Sequence, residues 1–174
     1  DIEIGAQRDF GAFTFTADDI KKFAAQFDPQ RFHLDEEEGR KSLFGGLAAS
    51  GWHVAAVCMK LLVADGKRLT AEAVARGEKV AVWGPSPGFR ELRWIKPVLA
   101  GDTIRFSNQV ETKRTSAKRP EWGILQARNT GTNQRGEQVR ASKNIAYVLQ
   151  QVADADTILH PVWRSGIPHP ERLA

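Results

Sequence analysis

The sequence predicts an α+β fold in which one long buried helix packs on an antiparallel β-sheet. Residues 47–63 are apolar almost throughout, and their strongly polar side chains are Ser50, His53 and Lys60. A helix that is apolar nearly all round is buried on most of its faces. Four strand-like segments follow residue 85, and the links between them are short. Short links between consecutive strands favour antiparallel pairing, so the sheet is expected to be antiparallel.

The N-terminal part of the chain predicts a short strand and two helices before the long apolar one. Phe13 and Phe15 alternate with polar neighbours, as in a strand. Thr16 precedes an acidic first turn, and apolar residues then recur at helical spacing, which predicts a helix over residues 17–27. Residues 35–41 are acidic first and basic last, which indicates a short exposed helix.

The C-terminal half of the chain predicts the sheet. Its strand-like segments are 89–95, 103–112, 122–130 and 138–150. Polar or glycine-containing stretches separate them at 97–102, 113–120 and 131–136. These breaks define a sheet built from consecutive neighbours.

The length and composition predict a single cytoplasmic domain. A chain of 174 residues, 41% hydrophobic and 26% charged, suits one globular domain over residues 1–174. A C-terminal extension is expected from about 151 to 174. Its part from His160 contains Pro161, Pro168 and Pro170 and is expected to run over the surface or over a neighbouring subunit. The single cysteine, Cys58, excludes a disulfide framework and fits a reducing compartment. The apolar stretch falls just short of the ~18 residues that a membrane span needs, so no membrane association is predicted.

A candidate catalytic pair lies on the loop that follows the first helix. Asp28 and His33 are five positions apart and flank a turn stiffened by Pro29. An acid and an imidazole in this arrangement can exchange protons with a bound substrate. An Asp-Pro step by itself is usually only a helix stop. The pair gains significance from the glycine-rich segment 44–51, which is expected to open the long helix.

Three segments together resemble the MaoC-like dehydratases and (R)-specific enoyl-CoA hydratases, which have the hot-dog fold. They are Asp28-Pro29-Gln30-x-Phe32-His33-x-Asp35, Phe44-Gly45-Gly46-Leu47-x-Ala49-Ser50-Gly51, and Leu92 to Val98 with Gly101-Asp102-Thr103. The resemblance implies an antiparallel sheet wrapped around one central helix. It also implies a homodimer or higher homo-oligomer, whose active sites lie at the subunit interface. The implied substrate is an acyl-CoA or acyl-carrier-protein thioester, and neither a cofactor nor a metal is implied.

The resemblance assigns roles to six residues. Asp28 would be the base and His33 the proton donor in reversible hydration of a trans-2-enoyl thioester. Backbone N–H groups of Gly45, Gly46 and Leu47 would stabilise the thioester oxyanion at the start of the central helix. Ser50 would orient the loop that carries the acid and the base. The family's common signature has Asn before the proline, whereas Pro29 here follows Asp28 directly. Because the separation between Asp28 and His33 is retained, this departure affects the assignment of the substrate more than the assignment of the catalytic residues.

Other functions stay open at this stage. Hot-dog thioesterases commonly carry an acid on the central helix, and residues 47–63 contain none. A non-catalytic acyl-CoA-binding protein would keep the same fold.

The formal charge of +4 makes nucleic acid a possible partner. The sequence shows no basic segment interleaved with aromatic residues, so nucleic-acid binding is not predicted. The densest basic cluster is Lys113, Arg114, Lys118 and Arg119, which is either a solvated hairpin tip or a landing site for coenzyme A phosphates.

Overall fold

A computed structural model describes residues 2–149 as five strands and four helices. In chain order the elements are β1 (Gln7–Thr14), α1 (Ala17–Phe27), α2 (Arg31–Leu34), α3 (Glu36–Lys41), α4 (Gly51–Ala75), β2 (Gly88–Trp94), β3 (Thr103–Thr115), β4 (Trp122–Asn133) and β5 (Gln138–Leu149). The predicted C-terminal extension at about 151–174 lies outside the described residues.

The five strands form one antiparallel sheet in the order β1-β3-β4-β5-β2. The predicted α+β architecture, one long helix with an antiparallel sheet, is therefore confirmed. The central strands are longer than their apolar alternation indicated. β3 continues to Thr115 and β4 to Asn133, because polar residues at their ends still pair with the neighbouring strand.

The central helix α4 begins and ends later than the sequence predicted. Residues 47–49 are extended instead, since the Ala49 N–H donates to the Val98 carbonyl at 2.7 Å and the Ala100 N–H to the Leu47 carbonyl at 2.9 Å. Ser50 has extended ψ and caps α4 by accepting the Trp52 N–H at 3.2 Å. The helix continues to Ala75 through a half that is rich in strong helix formers but less apolar.

The first helix matches its prediction. Thr16 caps α1 by accepting the Asp19 N–H at 3.1 Å, and Ile20 and Ala24 are buried. The one-turn helix α2 was absent from the sequence prediction, because four residues are too few to show a period. Asp35 then caps α3, whose bounds agree with the expected short helix.

The main core lies between α4, α1 and the sheet. Its buried members are Phe10, Phe15, Ile20, Leu47, Ala49, Val54, Val57, Cys58, Val98, Ile104, Phe106 and Val139. Because α4 and the 47–49 segment both contribute to this core, the chain just before α4 is held firmly in place. Within residues 2–149, no helix is both long enough and apolar enough to cross a lipid bilayer.

Candidate active site

Asp28 and His33 come together across a tight turn between α1 and α2. Asp28 follows the last residue of α1, and its N–H still donates to the Ala24 carbonyl at 2.9 Å. Gln30 immediately precedes the single turn of α2, which carries His33, and its carbonyl accepts the His33 N–H at 2.9 Å. The turn leaves Asp28 Oδ2 and His33 Nε2 3.5 Å apart.

Two side chains hold the Asp28 carboxylate. The Ser50 hydroxyl donates to Oδ2 at 2.6 Å, and the Gln30 amide donates to Oδ1 at 2.8 Å. Burial opposes ionisation of this group, but the bonds from Ser50 and Gln30 and the nearby His33 outweigh it and lower the pKa of Asp28 below its ordinary value. Asp28 is therefore an ionised carboxylate across the neutral pH range.

The His33 ring is buried and fixed by a backbone carbonyl. Its Nδ1 lies 2.7 Å from the Ala48 carbonyl oxygen. A carbonyl oxygen only accepts, so Nδ1 carries the hydrogen. Phe32 packs edge-on against the ring with centroids 4.6 Å apart, and Phe44 is stacked at 6.2 Å. The Nε2 atom is thus the one that faces Asp28.

The 3.5 Å separation between Oδ2 and Nε2 exceeds an ordinary N–H···O hydrogen bond. When His33 is neutral, both facing atoms are acceptors, and a water molecule can donate one hydrogen to each. When His33 is protonated, Nε2 becomes a donor with Asp28 as its counter-ion. The pair can therefore hold a water and can also share one proton.

The backbone N–H groups before α4 only partly match the prediction. Gly45, Gly46 and Leu47 do not open the helix, because α4 starts at Gly51. The Gly45 N–H also already donates to the Ser42 carbonyl at 3.2 Å. Within residues 2–149, the N–H groups of Gly46, Leu47 and Gly51 have no hydrogen-bond partner. The Gly51 N–H has the added field of the helix N-terminus.

Gly51 is also the point where the sheet reaches the helix start. A methyl group on Gly51 would lie 2.5 Å from the indole of Trp94, so glycine is needed for this contact. The Trp52 ring meets Trp94 edge-on at 5.8 Å, and Trp52 is 56% exposed. Trp52 is therefore not a core residue of the single chain.

His53 is on the first turn of α4. It is buried and stacked on Phe23 with centroids 4.5 Å apart, but its Nδ1 has no partner within the described residues. Burial, opposed by Asp19, lowers the pKa of His53. The ring packs among aromatic side chains, away from the contacts made by Asp28 and His33.

The basic cluster at residues 113–119 lies far from the pair in the same chain. It sits at the end of β3 opposite to Thr103, and a thirteen-residue strand spans roughly 40 Å. The loop before Thr103 is the one that pairs with residues 47–49. One chain therefore does not bring this cluster to its own acid–base pair.

Sequence reasoning missed two contacts that define the site. Gln30 binds Asp28, and the Ala48 carbonyl fixes the His33 tautomer. Gln30 stands inside the motif, so its spacing was visible although its role was not. A backbone carbonyl leaves no trace in the sequence, so the Ala48 contact required the folded chain.

Comparison with known proteins identifies the family that the sequence motifs resemble. A model of the MaoC-like domain matches residues 1–126. The uncharacterised protein YdeM of Bacillus subtilis is 34% identical over 108 residues, which cover 62% of this chain and 67% of YdeM.

Solved structures share the fold. A MaoC-like dehydratase from Rhodospirillum rubrum is 35% identical, with a TM-score of 0.70 over 87% of this chain and 96% of its own. An (R)-hydratase from A. caviae, described as involved in PHA biosynthesis, is 20% identical with a TM-score of 0.58, covering 83% of this chain and 96% of its own. The hot-dog fold expected from the sequence is confirmed.

Some of the similar structures are multi-chain assemblies. The HadBC complex from Mycobacterium tuberculosis, a (3R)-hydroxyacyl-ACP dehydratase, is 17% identical with a TM-score of 0.60, covering 83% of this chain and 96% of its own. Hot-dog domains similar to this chain thus occur in oligomers.

Proposed function

This chain belongs to the family of MaoC-like domains, and from that premise we propose that it is an acyl dehydratase of the (R)-specific enoyl-CoA hydratase type. It adds water reversibly to a trans-2-enoyl thioester. The observation that carries this proposal is the pairing of Asp28 Oδ2 with His33 Nε2 at 3.5 Å. Each of the two side chains is held by a contact from the chain just before α4, Asp28 Oδ2 by the Ser50 hydroxyl and His33 Nδ1 by the Ala48 carbonyl.

In the hydration direction, Asp28 is the base and protonated His33 is the acid. A water that accepts a hydrogen bond from Nε2 of protonated His33 and donates one to Asp28 gives a proton to Asp28 while its oxygen bonds to C3 of the enoyl group. The electrons of the double bond move toward the thioester, and C2 takes a proton from Nε2 of His33. The proton on Asp28 then passes to His33 across the short gap, which restores the starting state.

The thioester oxygen gains negative charge during this reaction and needs preorganised donors. Gly46 and Leu47, whose N–H groups have no partner within residues 2–149, come just before Ala48, which contacts His33. The Gly51 N–H adjoins Ser50, which contacts Asp28. One such donor typically lowers a barrier by ~3–4 kcal/mol. Gly45 drops out of this set because its N–H is already bonded.

The working form is proposed to be a homodimer or higher homo-oligomer that acts in the cytoplasm on a coenzyme A or acyl-carrier-protein thioester. Exposed aromatic residues support the first part, since Trp52 and Trp94 lie together next to the free edge of β2. The free buried thiol of Cys58 supports a reducing compartment. The chemistry itself calls for no cofactor beyond the thioester.

The sequence argued against a thioesterase because residues 47–63 contain no acid. The structure supplies a different argument. Since α4 extends to Ala75, the central helix does carry acids, among them Asp65. Two arginines pair with the Asp65 carboxylate, Arg8 at 2.9 Å and Arg68 at 2.6 Å. Asp65 also lies about 22 Å along the helix from Ser50, so it does not join the pair.

The test is purified protein with crotonyl-CoA and longer trans-2-enoyl-CoA homologues, followed by loss of the enoyl absorbance. We expect hydration to a 3-hydroxyacyl-CoA of (R) configuration, read by chiral analysis of the product. Release of free coenzyme A thiol without hydration would instead support a thioesterase. Thermal stabilisation by acyl-CoA without any turnover would support a binding protein and count against the proposal.

A further inference from the structure

A group of polar side chains lies on the helix-facing side of β4 and β5, where an ordinary core would be apolar. Asn129 is directly opposite Ser142, and Arg140 is opposite Gly131. Asn129 and Ser142 are each 1% exposed and Arg140 is 5% exposed. This Arg140–Asn129 cluster is therefore shielded from solvent as completely as the apolar core beside it.

Among residues 2–149, Arg140 has no acidic partner. Its Nη1 donates to Cys58 Sγ at 3.2 Å and its Nη2 to the Ser142 hydroxyl at 2.8 Å, while Nε has no partner. In the part of the chain that the structure describes, no carboxylate lies within ion-pairing distance of this guanidinium. Burial lowers the pKa of Arg140, yet an arginine stays protonated in proteins. The cluster thus holds an uncompensated positive charge, which is costly unless an anion joins it.

Asn129 adds a second unmet requirement. Neither its Nδ2 nor its Oδ1 has a hydrogen-bond partner within the described residues. On an antiparallel pair, Asn129 is the diagonal neighbour of Arg140 on the same face, within reach of long side chains. Buried polar groups are almost always paired, so these atoms indicate a group that binds between them. A carboxylate accepts hydrogen bonds from donors of these two kinds, a guanidinium and an amide N–H.

The cluster lies further along the same helix that Ser50 caps. Cys58, which contacts Arg140, comes eight residues after Ser50, about 12 Å along the axis of α4. Trp94 is opposite Arg140 across β2 and β5, and its indole packs on Gly51 at the helix start. An acyl chain with its thioester end at Asp28 and His33 would therefore run along α4 toward Arg140.

We propose that Arg140 and Asn129 bind a carboxylate at the far end of the acyl group, so that the preferred substrates are enoyl thioesters of dicarboxylic acids. This inference rests on the proposed hydratase function and narrows its substrate class. The thioester reacts at the Asp28–His33 pair, while the distal carboxylate supplies the missing counter-ion.

The first test uses the wild-type protein with matched pairs of trans-2-enoyl-CoA substrates of equal carbon number, one ending in a methyl group and one in a carboxylate. We expect kcat/KM to favour the carboxylate by about 100-fold at the best chain length. Parity, or preference for the methyl-ended series, overturns the inference and leaves the hydratase proposal intact. If neither series is hydrated, the hydratase proposal itself fails.

Binding then decides the point without turnover. Saturated acyl-CoA pairs, again methyl-ended and carboxylate-ended, are titrated into wild-type protein by calorimetry. Tighter binding of the carboxylate-ended thioester by about tenfold or more supports the site, and equal binding of the two overturns it.

The variant Arg140→Met should lose the preference for the carboxylate-ended thioester in both experiments. Arg128→Met is the matched control, because Arg128 lies on the other face of β4 and pairs with Glu111 at 2.7 Å. A folded Arg140→Met protein that retains the carboxylate preference overturns the assignment. If that variant does not fold, the two wild-type comparisons carry the decision.

Discussion

The Asp28–His33 loop and the Arg140–Asn129 cluster are both polar and largely buried, but they differ in how fully their atoms are paired. At the loop, both Asp28 oxygens accept side-chain donors and His33 Nδ1 is bound to a carbonyl. At the cluster, Arg140 Nε and both amide atoms of Asn129 have no partner within the described residues.

This difference separates two kinds of site. A pair whose two side chains are each anchored by hydrogen bonds is rigid before substrate arrives, which suits groups that must meet a reacting atom in one geometry. A cluster with unmet donors is incomplete until a ligand supplies the acceptor, which suits groups that select a substrate. Substitutions at the loop should therefore reduce catalytic activity. Substitutions at the cluster should reduce substrate selectivity and increase the stability of the free folded protein.

The largest effect is expected from Asp28→Asn. The amide keeps the size of the side chain and can still accept one hydrogen bond, but it cannot take a proton from water. We expect kcat to fall about 1,000-fold on the best enoyl-CoA, with the melting temperature nearly unchanged. The control is Asp18→Asn, the same change on the exposed side of α1. Wild-type turnover in the Asp28→Asn protein would remove the proposed base.

His33 allows its positioning and its chemistry to be separated. In His33→Asn, the shorter amide can still donate to the Ala48 carbonyl, but nothing replaces Nε2. In His33→Gln, the longer amide reaches toward Asp28 and leaves that carbonyl unpaired. We expect both variants to lose about 100-fold or more in kcat, and only His33→Gln to lose about 1–3 kcal/mol of stability in urea melts. Equal stabilities would mean that the Ala48 contact does not hold the ring.

The architecture was predictable because it depends on patterns that extend over many residues. The buried helix and the four later strands each carry a long periodic signal, and all five appear in the structure. Helix α4 was placed too early because residues 47–49 are apolar whether they are helical or extended. Only their pairing with residues 98–100, distant in sequence, decides between the two.

The two sites were not equally visible. Asp28 and His33 form a local motif, and the resemblance of the segments around them and around Ser50 to the MaoC-like dehydratases singled out all three residues. Arg140 and Asn129 are eleven positions apart on different strands, and each looks like an ordinary solvent-facing strand residue. A one-residue change of register would turn either side chain to the other face, so their burial is a property of the pairing and not of the sequence pattern.

Ser50→Ala should reduce kcat less than the changes at Asp28 and His33, and its effect should be visible in the pH dependence of kcat/KM. The pKa of Asp28 is held low partly by the Ser50 hydroxyl, and removing a donor to the ionised form raises that pKa. Activity that needs the carboxylate is lost as pH falls through this pKa. The acid limb of the kcat/KM profile should therefore move to higher pH, with roughly a tenfold loss of kcat at neutral pH.

Gln30→Leu is the companion variant, because it removes the donor to the other oxygen of Asp28 while sparing the cap of α4. It should move the limb in the same direction. An acid limb that stays in place in both variants would mean that Asp28 does not set it.

The smallest effect is expected in the Arg140–Asn129 cluster and concerns the stability of the fold. In Asn129→Leu, an apolar side chain of similar branching replaces an amide whose atoms are buried and unpaired. Replacing such a group is neutral or favourable, so we expect a gain of about 1 kcal/mol, seen as a rise of roughly 2–4 °C in melting temperature. Asn108→Leu is the control, because Asn108 is directly opposite on β3 but only half-buried. If Asn129→Leu destabilises the fold more than this control, the amide is satisfied in the free protein, and the contrast with the Asp28–His33 loop disappears.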